Sequence, residues 1–413
     1  MSAQASGIAP PAGVEERWLT PGVKGIGAAS LLSDLGHEIP TALLPSFLTS
    51  TLGAPAAALG LIEGVADGLA GAAKFAGGPL ADDPQRRRNT AVGGYAATAV
   101  LTAAIGATTA VWQVAALRAG GWAARGLRVP ARNALLADVV PARAYGRAYG
   151  FERAMDNLGA IGGPLLAIAL VALVGTRSAI LVSVIPGLLA VAAILYAVRH
   201  APKLEERERK PLRFQVRPVL RGQLGRLFVG IGAFEAGNAA ATLLILRATD
   251  LLDEQHSHDT AVTIALLLYA GYNLAATLAS LQGGRVGDRR GMLQVLVLGV
   301  AAFLIAYTGF AFTGGSIIAL GATFVLAGIG IGFVETAEHA AVATHAPNDV
   351  RGSAFGLLAA TQSFGNLVAS AIAGVLWTAV SPRAAFLFLA AAMLVSLGGF
   401  AFAREPNPHE PAA

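Results

Sequence analysis

The chain has 413 residues, 55% of them hydrophobic and only 13% charged, with a formal net charge of +5 and no cysteine. A soluble chain carries about twice that charged fraction; together with a mean hydropathy of +0.60, the composition is that of a polytopic α-helical membrane protein. It excludes disulfides, thiolate metal sites and cysteine nucleophiles, and the basic excess sits in short loops, where it orients membrane proteins rather than binding nucleic acid.

Residues 1–21, rich in Ala, Pro and Gly, lack an apolar signal-peptide core and read as a disordered lead. About 20 apolar residues cross a bilayer. That rule predicts twelve spans, the first six near 22–50, 55–81, 89–109, 112–140, 145–174 and 176–198. The other six lie near 219–250, 260–286, 291–312, 315–345, 350–380 and 382–403. The expected organisation is a six-helix half over 22–198, a linker over 199–218, a second half over 219–404 and a tail over 405–413. The linker mixes Lys203, Glu205, Glu206, Arg207, Glu208, Arg209 and Lys210, which suits a solvated connection. Arg86, Arg87, Arg88, Arg143, Arg147, Arg289, Arg290 and Arg351 fall in one set of loops, and the opposite set is nearly uncharged apart from Arg177, Arg383 and the acidic run from Asp250 to Asp259. Both termini and the linker are therefore expected on the cytoplasmic side.

The two halves repeat at a constant offset of 206 residues. Gly78 and Asp82 match Gly284 and Asp288, Gly93 matches Gly299, and Gly126 and Pro141 match Gly332 and Pro347. Ala148-Tyr149-Gly150 matches Ala354-Phe355-Gly356, and Gly159 matches Gly365. A constant offset over four helices indicates a duplicated six-helix unit. Both copies begin and end on the same side, so the repeats are parallel, and a solute site is expected near the midplane between them.

The fourth span carries Arg118, Arg125, Arg128 and Arg132. At about 100° per residue the four share one stripe of roughly 80°. A guanidinium at the bilayer centre costs at least ~3 kcal/mol, so the stripe must face protein or a water-filled cavity with carboxylates nearby. The fifth span supplies Glu152 and Asp156, then Gly159, Gly163 and Pro164, a helix able to kink. Asp34, His37 and Glu38 share a face of the first span, Glu63, Asp67 and Lys74 a face of the second, and Glu335, Glu338 and His339 a face of the tenth; Glu235 stands alone in the seventh. Intramembrane carboxylates are functional by default, the bland reading being internal salt bridges. Arg132 and Glu338 are repeat mates, so one half offers cations where the other offers anions. His37 and His339 with Asp34, Glu38 and Glu335 have the donor types of a divalent-ion site, but the arginines oppose a cation, and no metal site is assigned. Gly328, Gly330 and Gly332 lie within an apolar helix without a preceding strand, so they are packing residues and not a nucleotide fingerprint. There is no Walker sequence, and no nucleophile–base pair that marks an enzyme.

The segment Gly77-Gly78-Pro79-Leu80-Ala81-Asp82-Asp83-Pro84-Gln85-Arg86-Arg87-Arg88 resembles the loop signature of the major facilitator superfamily, with Asp83 at a usually basic position and Pro84-Gln85 in place of a pair ending in glycine. Gly284-Arg285-Val286-Gly287-Asp288-Arg289-Arg290-Gly291 resembles its second copy. Arg118-Ala119-Gly120-Gly121 resembles the arginine signature of the fourth helix, and Gly159-Ala160-Ile161-Gly162-Gly163-Pro164 the glycine–proline signature of antiporters, without the paired glycines after the proline. Ser33-Asp34-Leu35-Gly36-His37-Glu38-Ile39-Pro40 and the arginine stripe resemble a bacterial facilitator group. The resemblance implies twelve transmembrane helices in two pseudo-symmetric halves, in the inner membrane of a bacterium. It implies a secondary transporter working by alternating access, with proton-coupled export of a small anionic or zwitterionic molecule or drug as the leading expectation. Arg118, Arg125, Arg128, Arg132, Asp34, Glu38, Glu63, Asp67, Asp156, Glu335, Glu338 and His339 are the expected solute- and proton-coupling residues. Asp82, Asp288, Gly78, Gly284, Gly163 and Pro164 are the expected gating residues. The expected partners are a small-molecule solute, protons and the lipid bilayer, without nucleic acid or cofactor, with the proton gradient as the energy source, and with the chain as a monomer. Uptake by symport or uniport, and a sensor that binds without translocating, are the rival readings.

Overall fold

The computed structural model describes residues 18–202, 213 and 215–403. Most of the lead and of the linker, and the tail, lie outside the described residues. Helix α1 (Pro21–Ser46) starts on Thr20, whose hydroxyl accepts from Val23 N, with Pro21 at the first helical position. After a short turn of π-helix (Phe47–Thr51) come α2 (Ala56–Asp82), α3 (Pro84–Ala104) and α4 (Val111–Asp138). Then follow α5 (Tyr145–Val182) and α6 (Val184–Arg199). The second half comprises a single turn, α7 (Val216–Val219), and α8 (Gly222–Glu235), α9 (Ala241–Leu252), α10 (His258–Arg290), α11 (Met292–Phe312), α12 (Ile317–His345), α13 (Arg351–Ala379) and α14 (Pro382–Phe402). These make an all-α membrane protein with twelve transmembrane spans in two pseudo-symmetric six-helix halves.

Two boundaries differ from expectation and a third falls where it is expected, each for a local reason. The stretch from Asp82 to Arg88 is not a loop. Asp83 Oδ1 accepts from Gln85 N at 3.0 Å and Arg86 N at 2.9 Å, so Asp83-Pro84 is the cap and first residue of α3. The fifth and sixth spans part at Gly175, as expected, where a φ of 77° is one that only glycine adopts freely. The seventh span is broken between α8 and α9. There Ala240 N donates to Ser370 Oγ at 2.9 Å and Asn366 Nδ2 donates to the Asn238 carbonyl at 2.8 Å. Side chains of α13 thus satisfy backbone that a break inside a bilayer would otherwise strand.

Among the described residues, seven helices are individually long and apolar enough to cross a membrane. The spans that miss that test include α1, α2 and α4, which carry most of the intramembrane charge, and the broken seventh. Their polar residues face inward, while Leu173, Ile318 and Val375 are exposed to the bilayer side.

Within each half the helices cross at glycines, and the crossings repeat. Gly126 of α4 lies on the Ala70 carbonyl of α2, and its mate Gly332 of α12 lies on the Ala276 carbonyl of α10. Gly77 packs on Leu127, and Gly283 on Phe333. Gly93 breaks the pattern: it has open space beside it, whereas its mate Gly299 is tightly packed. The halves meet mainly through α2 against α13 and α5 against α10. At one end these pairs touch backbone to backbone, Gly78 on Ser353 and Gly284 on Gly146. Toward the other end Gly64 and Gly68 of α2, Gly271 of α10 and Gly374 of α13 have nothing beside them. The halves therefore close at one end and part at the other, leaving a cavity between them.

Candidate functional site

The closed end is built by two aspartates placed by the repeat. Asp82, at the last residue of α2, accepts from Ser353 N at 2.8 Å and from Ser353 Oγ at 2.5 Å. Asp288, near the end of α10, accepts from Gly146 N at 2.7 Å and from Arg147 N at 3.2 Å, and Arg147 Nε adds a further bond at 2.7 Å. Arg147 and Ser353 are themselves 206 residues apart. Each carboxylate thus caps the first turn of a helix in the opposite half, where free N–H groups and the helix dipole favour an anion. Gly78 and Gly284 permit the approach, because a side chain there would strike Ser353 or Gly146. Arg87 reinforces this end by bonding Asp138, to which Arg351 of the other half comes within 3.9 Å.

The arginine stripe of α4 faces protein, but its four members differ. Arg118 pairs with Glu63 at 2.9 Å, donates to Thr41 Oγ1 at 3.0 Å and lies on the Trp122 ring, whose Nε1 donates to Asp67. Arg125 meets His37 Nε2 at 2.5 Å and Asp34 at 3.3 Å. Arg132 pairs with Glu152 at 2.8 Å and Asp156 at 3.6 Å and donates to Ser30 Oγ. Arg128 touches no carboxylate: it donates to Ser33 Oγ at 2.7 Å and stacks on Tyr95, while its Nε and Nη1 lack hydrogen-bond partners. Ser33, His37, Tyr95, Thr98, Thr102 and Ser183 line a small polar cavity beside it.

The repeat mates Arg132 and Glu338 direct their side chains to different kinds of partner. Arg132 spends its charge inside its own half, and its repeat mate Glu338 accepts from Gln362 Nε2 at 2.9 Å. Glu338 is fully buried with Oε1 unpartnered, and Glu235, also buried, accepts from Asn238 at 3.0 Å. His339 donates to the Glu335 carbonyl and packs between Tyr149 and Phe355, away from any opening. Lys74 leaves the acids of its own face and donates to Ser363 Oγ of the other half at 2.8 Å, which forms the floor of the cavity. Gly163 seats Glu38 of α1, and Pro164 passes within α5 without interrupting it; the break falls at Gly175.

Above that floor, charge reaches the cavity from several helices. Glu38, Glu63, Arg125, Asp156 and Glu335 have side chains 19–31% exposed, Asp67 is exposed and Lys74 half-buried. Arg153, bound to Glu152 at 2.7 Å, reaches Glu335 at 3.9 Å and links the halves. Sequence reasoning missed Arg153, Ser30, Ser33, Thr41, Trp122, Tyr95, Ser353 and Ser363 as parts of this site. The hydroxyls of α1 left a trace, since Ser30, Ser33, His37 and Thr41 recur at helical spacing on the face of Asp34. Among the described residues no group of three or more His, Asp or Glu is placed to hold a metal ion.

The geometry has counterparts. A family model described as Major Facilitator Superfamily matches residues 26–249 and again 227–413. An uncharacterized MFS-type transporter of Methanocaldococcus jannaschii is 27% identical over 389 residues, 92% of this chain and 94% of the relative. An uncharacterized protein of Mycobacterium tuberculosis is 29% identical over 342 residues, 81% of each. Among solved structures, a bacterial homologue of the iron transporter ferroportin in an outward-facing state superposes with a TM-score of 0.75 at 14% identity, over 92% of this chain and 98% of that one. FucP, a Major Facilitator Superfamily transporter in the outward conformation, superposes with a TM-score of 0.70 at 14% identity, over 95% and 100%.

Proposed function

The chain belongs to the major facilitator superfamily, and from that premise we propose that it exports a small zwitterionic molecule in exchange for protons. It is a multi-pass secondary transporter and not an enzyme, as its family members are. What carries the narrower reading is the mixed charge at the cavity floor. Arg125 and Lys74 are the cations that reach the opening, and Glu38, Glu63, Asp67, Asp156 and Glu335 are the carboxylates. Arg118, Arg128 and Arg132 lie behind them, almost completely buried. A purely anionic solute would meet a rim richer in acids than in bases. A solute with a carboxylate for Arg125 or Lys74 and an ammonium for Glu335 or Glu38 leaves neither sign unpaired.

The basic loops lie at the closed end with Asp82 and Asp288. Placed in the cytoplasm, in the inner membrane of a bacterium, they make this the outward-facing state, with both latches shut. Opening the cytoplasmic end then requires Ser353 and Arg147 to leave their aspartates. Export rests on the likeness of Gly159–Pro164 to the antiporter signature, and proton coupling on carboxylates exposed to the cavity and on the buried His37 beside one of them, Glu38. The chain works as a monomer and without a cofactor in this reading.

The test is flux in proteoliposomes. A thermal-shift screen of zwitterionic, anionic and cationic metabolites and drugs selects the solute, and an imposed proton gradient then drives it. Exchange against protons supports the proposal. Solute movement with the protons establishes the rival symport, and flux indifferent to the gradient removes coupling. Arg125→Gln should abolish the flux; its survival would remove Arg125 from the solute site.

A further inference from the structure

His37 is held by neighbours that fix its protonation. Its Nδ1 lies 2.9 Å from the Ser33 carbonyl, which only accepts, so Nδ1 carries a hydrogen. Its Nε2 lies 2.5 Å from Arg125 Nη1, and a guanidinium nitrogen only donates, so Nε2 presents its lone pair. The ring is neutral in this arrangement. Yet Glu38 Oε1 stands 3.3 Å from the same Nε2. A carboxylate beside a lone pair gains nothing, whereas beside an N–H it gains a charge-assisted bond. One nitrogen therefore faces two partners that require opposite proton states.

The surroundings leave the choice to that nitrogen. On α1 itself, Asp34 Oδ1 lies 3.4 Å from Nδ1 and 3.3 Å from Arg125 Nη2. From α4, Arg118 is committed to Glu63 of α2 and to Thr41, and Arg128 to Ser33. From α3, Tyr95 shares the small polar cavity with His37, and from α10, Tyr269 lies within electrostatic range of Glu38. Helices α5 and α6 bring glycines here, Gly159 on Asp34, Gly163 on Glu38 and Gly187 on Gly36. Arg125 and Glu38 are both partly exposed to the main cavity, so both are within reach of solute and water.

We propose that a proton taken from the cavity onto His37 Nε2 switches the imidazole from Arg125 to Glu38, so that the proton competes with a solute ammonium for Glu38 and frees Arg125 for a solute carboxylate. The proton adds to the Nε2 lone pair, and the same N–H bond breaks when the ring returns to Arg125. A cationic group on the solute is thereby coupled to the proton by exclusion, as antiport requires, and an anionic group by cooperation. This rests on the proton-coupled reading above: for a zwitterion, export demands that the ammonium contact with Glu38 outweigh the carboxylate contact with Arg125.

Trp122 supplies a readout that does not depend on transport. Its ring meets His37 edge to face at 5.5 Å, and an imidazolium quenches indole emission more strongly than a neutral imidazole. In lipid nanodiscs, a chain with Trp18, Trp112 and Trp377 changed to Phe is titrated between about pH 5 and 8.5, where histidines change charge. Emission should fall on acidification in one step, lost in His37→Gln. Glu38→Gln should move the step to more acid pH and Arg125→Gln to less acid pH. A step that persists in His37→Gln, an absent step, or equal behaviour of the two neighbour variants overturns the switch. If the tryptophan-depleted chain fails to fold, the difference between the parent and His37→Gln, with all four tryptophans, reports the same step. An intact step without gradient-driven flux removes the coupled function and leaves the switch; flux without the step removes the switch alone.

Discussion

Replacing Asp82 with alanine removes two hydrogen bonds that join the halves, both donated by Ser353, at 2.8 and 2.5 Å. Hydrogen bonds to a charged acceptor contribute about 1.5–3 kcal/mol each. The pair acts only while the latch end is shut, because donor and acceptor belong to different halves. Once the halves part, water solvates the carboxylate and part of the energy is recovered, so about 3 kcal/mol is the differential loss. That is roughly a 150-fold change in the ratio of shut to open states. The chain has no native cysteine, so spin labels at Ala142→Cys and Asp349→Cys, both exposed near this end, report the gap directly. Electron-resonance distances in nanodiscs should show one short population in the parent and a dominant longer one in Asp82→Ala. Asp82→Asn, which keeps an acceptor for Ser353 N but loses the charge, should fall between. A folded Asp82→Ala protein with an unchanged distance distribution would refute the latch.

Three further outcomes follow from the packing. Arg132→Met removes one of the two guanidinium groups on the buried Glu152, Arg153 and Ser30 remaining, and should cost about 1.5–3 kcal/mol, whereas Arg128→Met, which strands no carboxylate, should be neutral or stabilising; melting temperatures of the two variants in one detergent decide. Arg177 donates to the Thr108 carbonyl at 2.6 Å and its mate Arg383 to the Ala311 carbonyl at 3.2 Å, each at the end of a helix. Replacing either with Met should cost about 1 kcal/mol, read as a similar fall in thermal stability for both, without a change of gap at the latch end. Glu338→Gln should preserve stability, because Gln362 keeps an oxygen to bond and no cation is stranded, whereas Glu338→Ala leaves a cavity and an unpaired amide and should cost about 2–3 kcal/mol in the same assay.

The fold was legible in the chain because its two controlling signals are one-dimensional. Apolar length set the spans, and the 206-residue offset placed Asp82 and Asp288 in equivalent roles; the structure gives each a helix N-terminus in the other half. Pairing was less legible, because it depends on which helices are neighbours. Repeat position made Arg132 and Glu338 equivalent but named no partner for either, and α4 places Arg132 against Glu152 and Asp156 of α5. Lys74 shares a sequence face with Glu63 and Asp67, but Ser363 of α13 lies nearer its ammonium group. The start of α3 was readable in principle from Asp83-Pro84, a cap followed by the residue best suited to the first helical turn. The break in the seventh span was not readable, because Gly237-Asn238 interrupts a helix only when Asn366 and Ser370 are present to bond the exposed backbone.

The latches are symmetric and the charges are not, and that contrast separates two tasks. Asp82 and Asp288 bind helix termini in the opposite half, so each half holds and releases the other by the same chemistry. The ionised network of α1, α2, α4 and α5, in contrast, closes mainly on itself, Arg118 with Glu63, Arg125 with Asp34 and Arg132 with Glu152, while Arg153 reaches across to Glu335. Removing Glu63 leaves the buried Arg118, and removing Arg125 the buried Asp34, without its ion-pair partner in a poorly solvated interior, which makes the first half the stiffer body. The second half has α8 and α9 parted beside Glu235, with Gln362, Asn366 and Ser370 of α13 carrying the polar contacts. Neutral amide and hydroxyl contacts exchange for water at a cost of about 1 kcal/mol each. The solute's charged groups are therefore expected to be recognised mainly from the first half, with Lys74 and Arg153 reaching over to Ser363 and Glu335. Movement on opening should then concentrate in α8, α9 and α13. Hydrogen exchange compared between the parent and Asp82→Ala locates that movement: faster exchange confined to α1 and α4 would contradict the assignment, and faster exchange across residues 236–240 would support it.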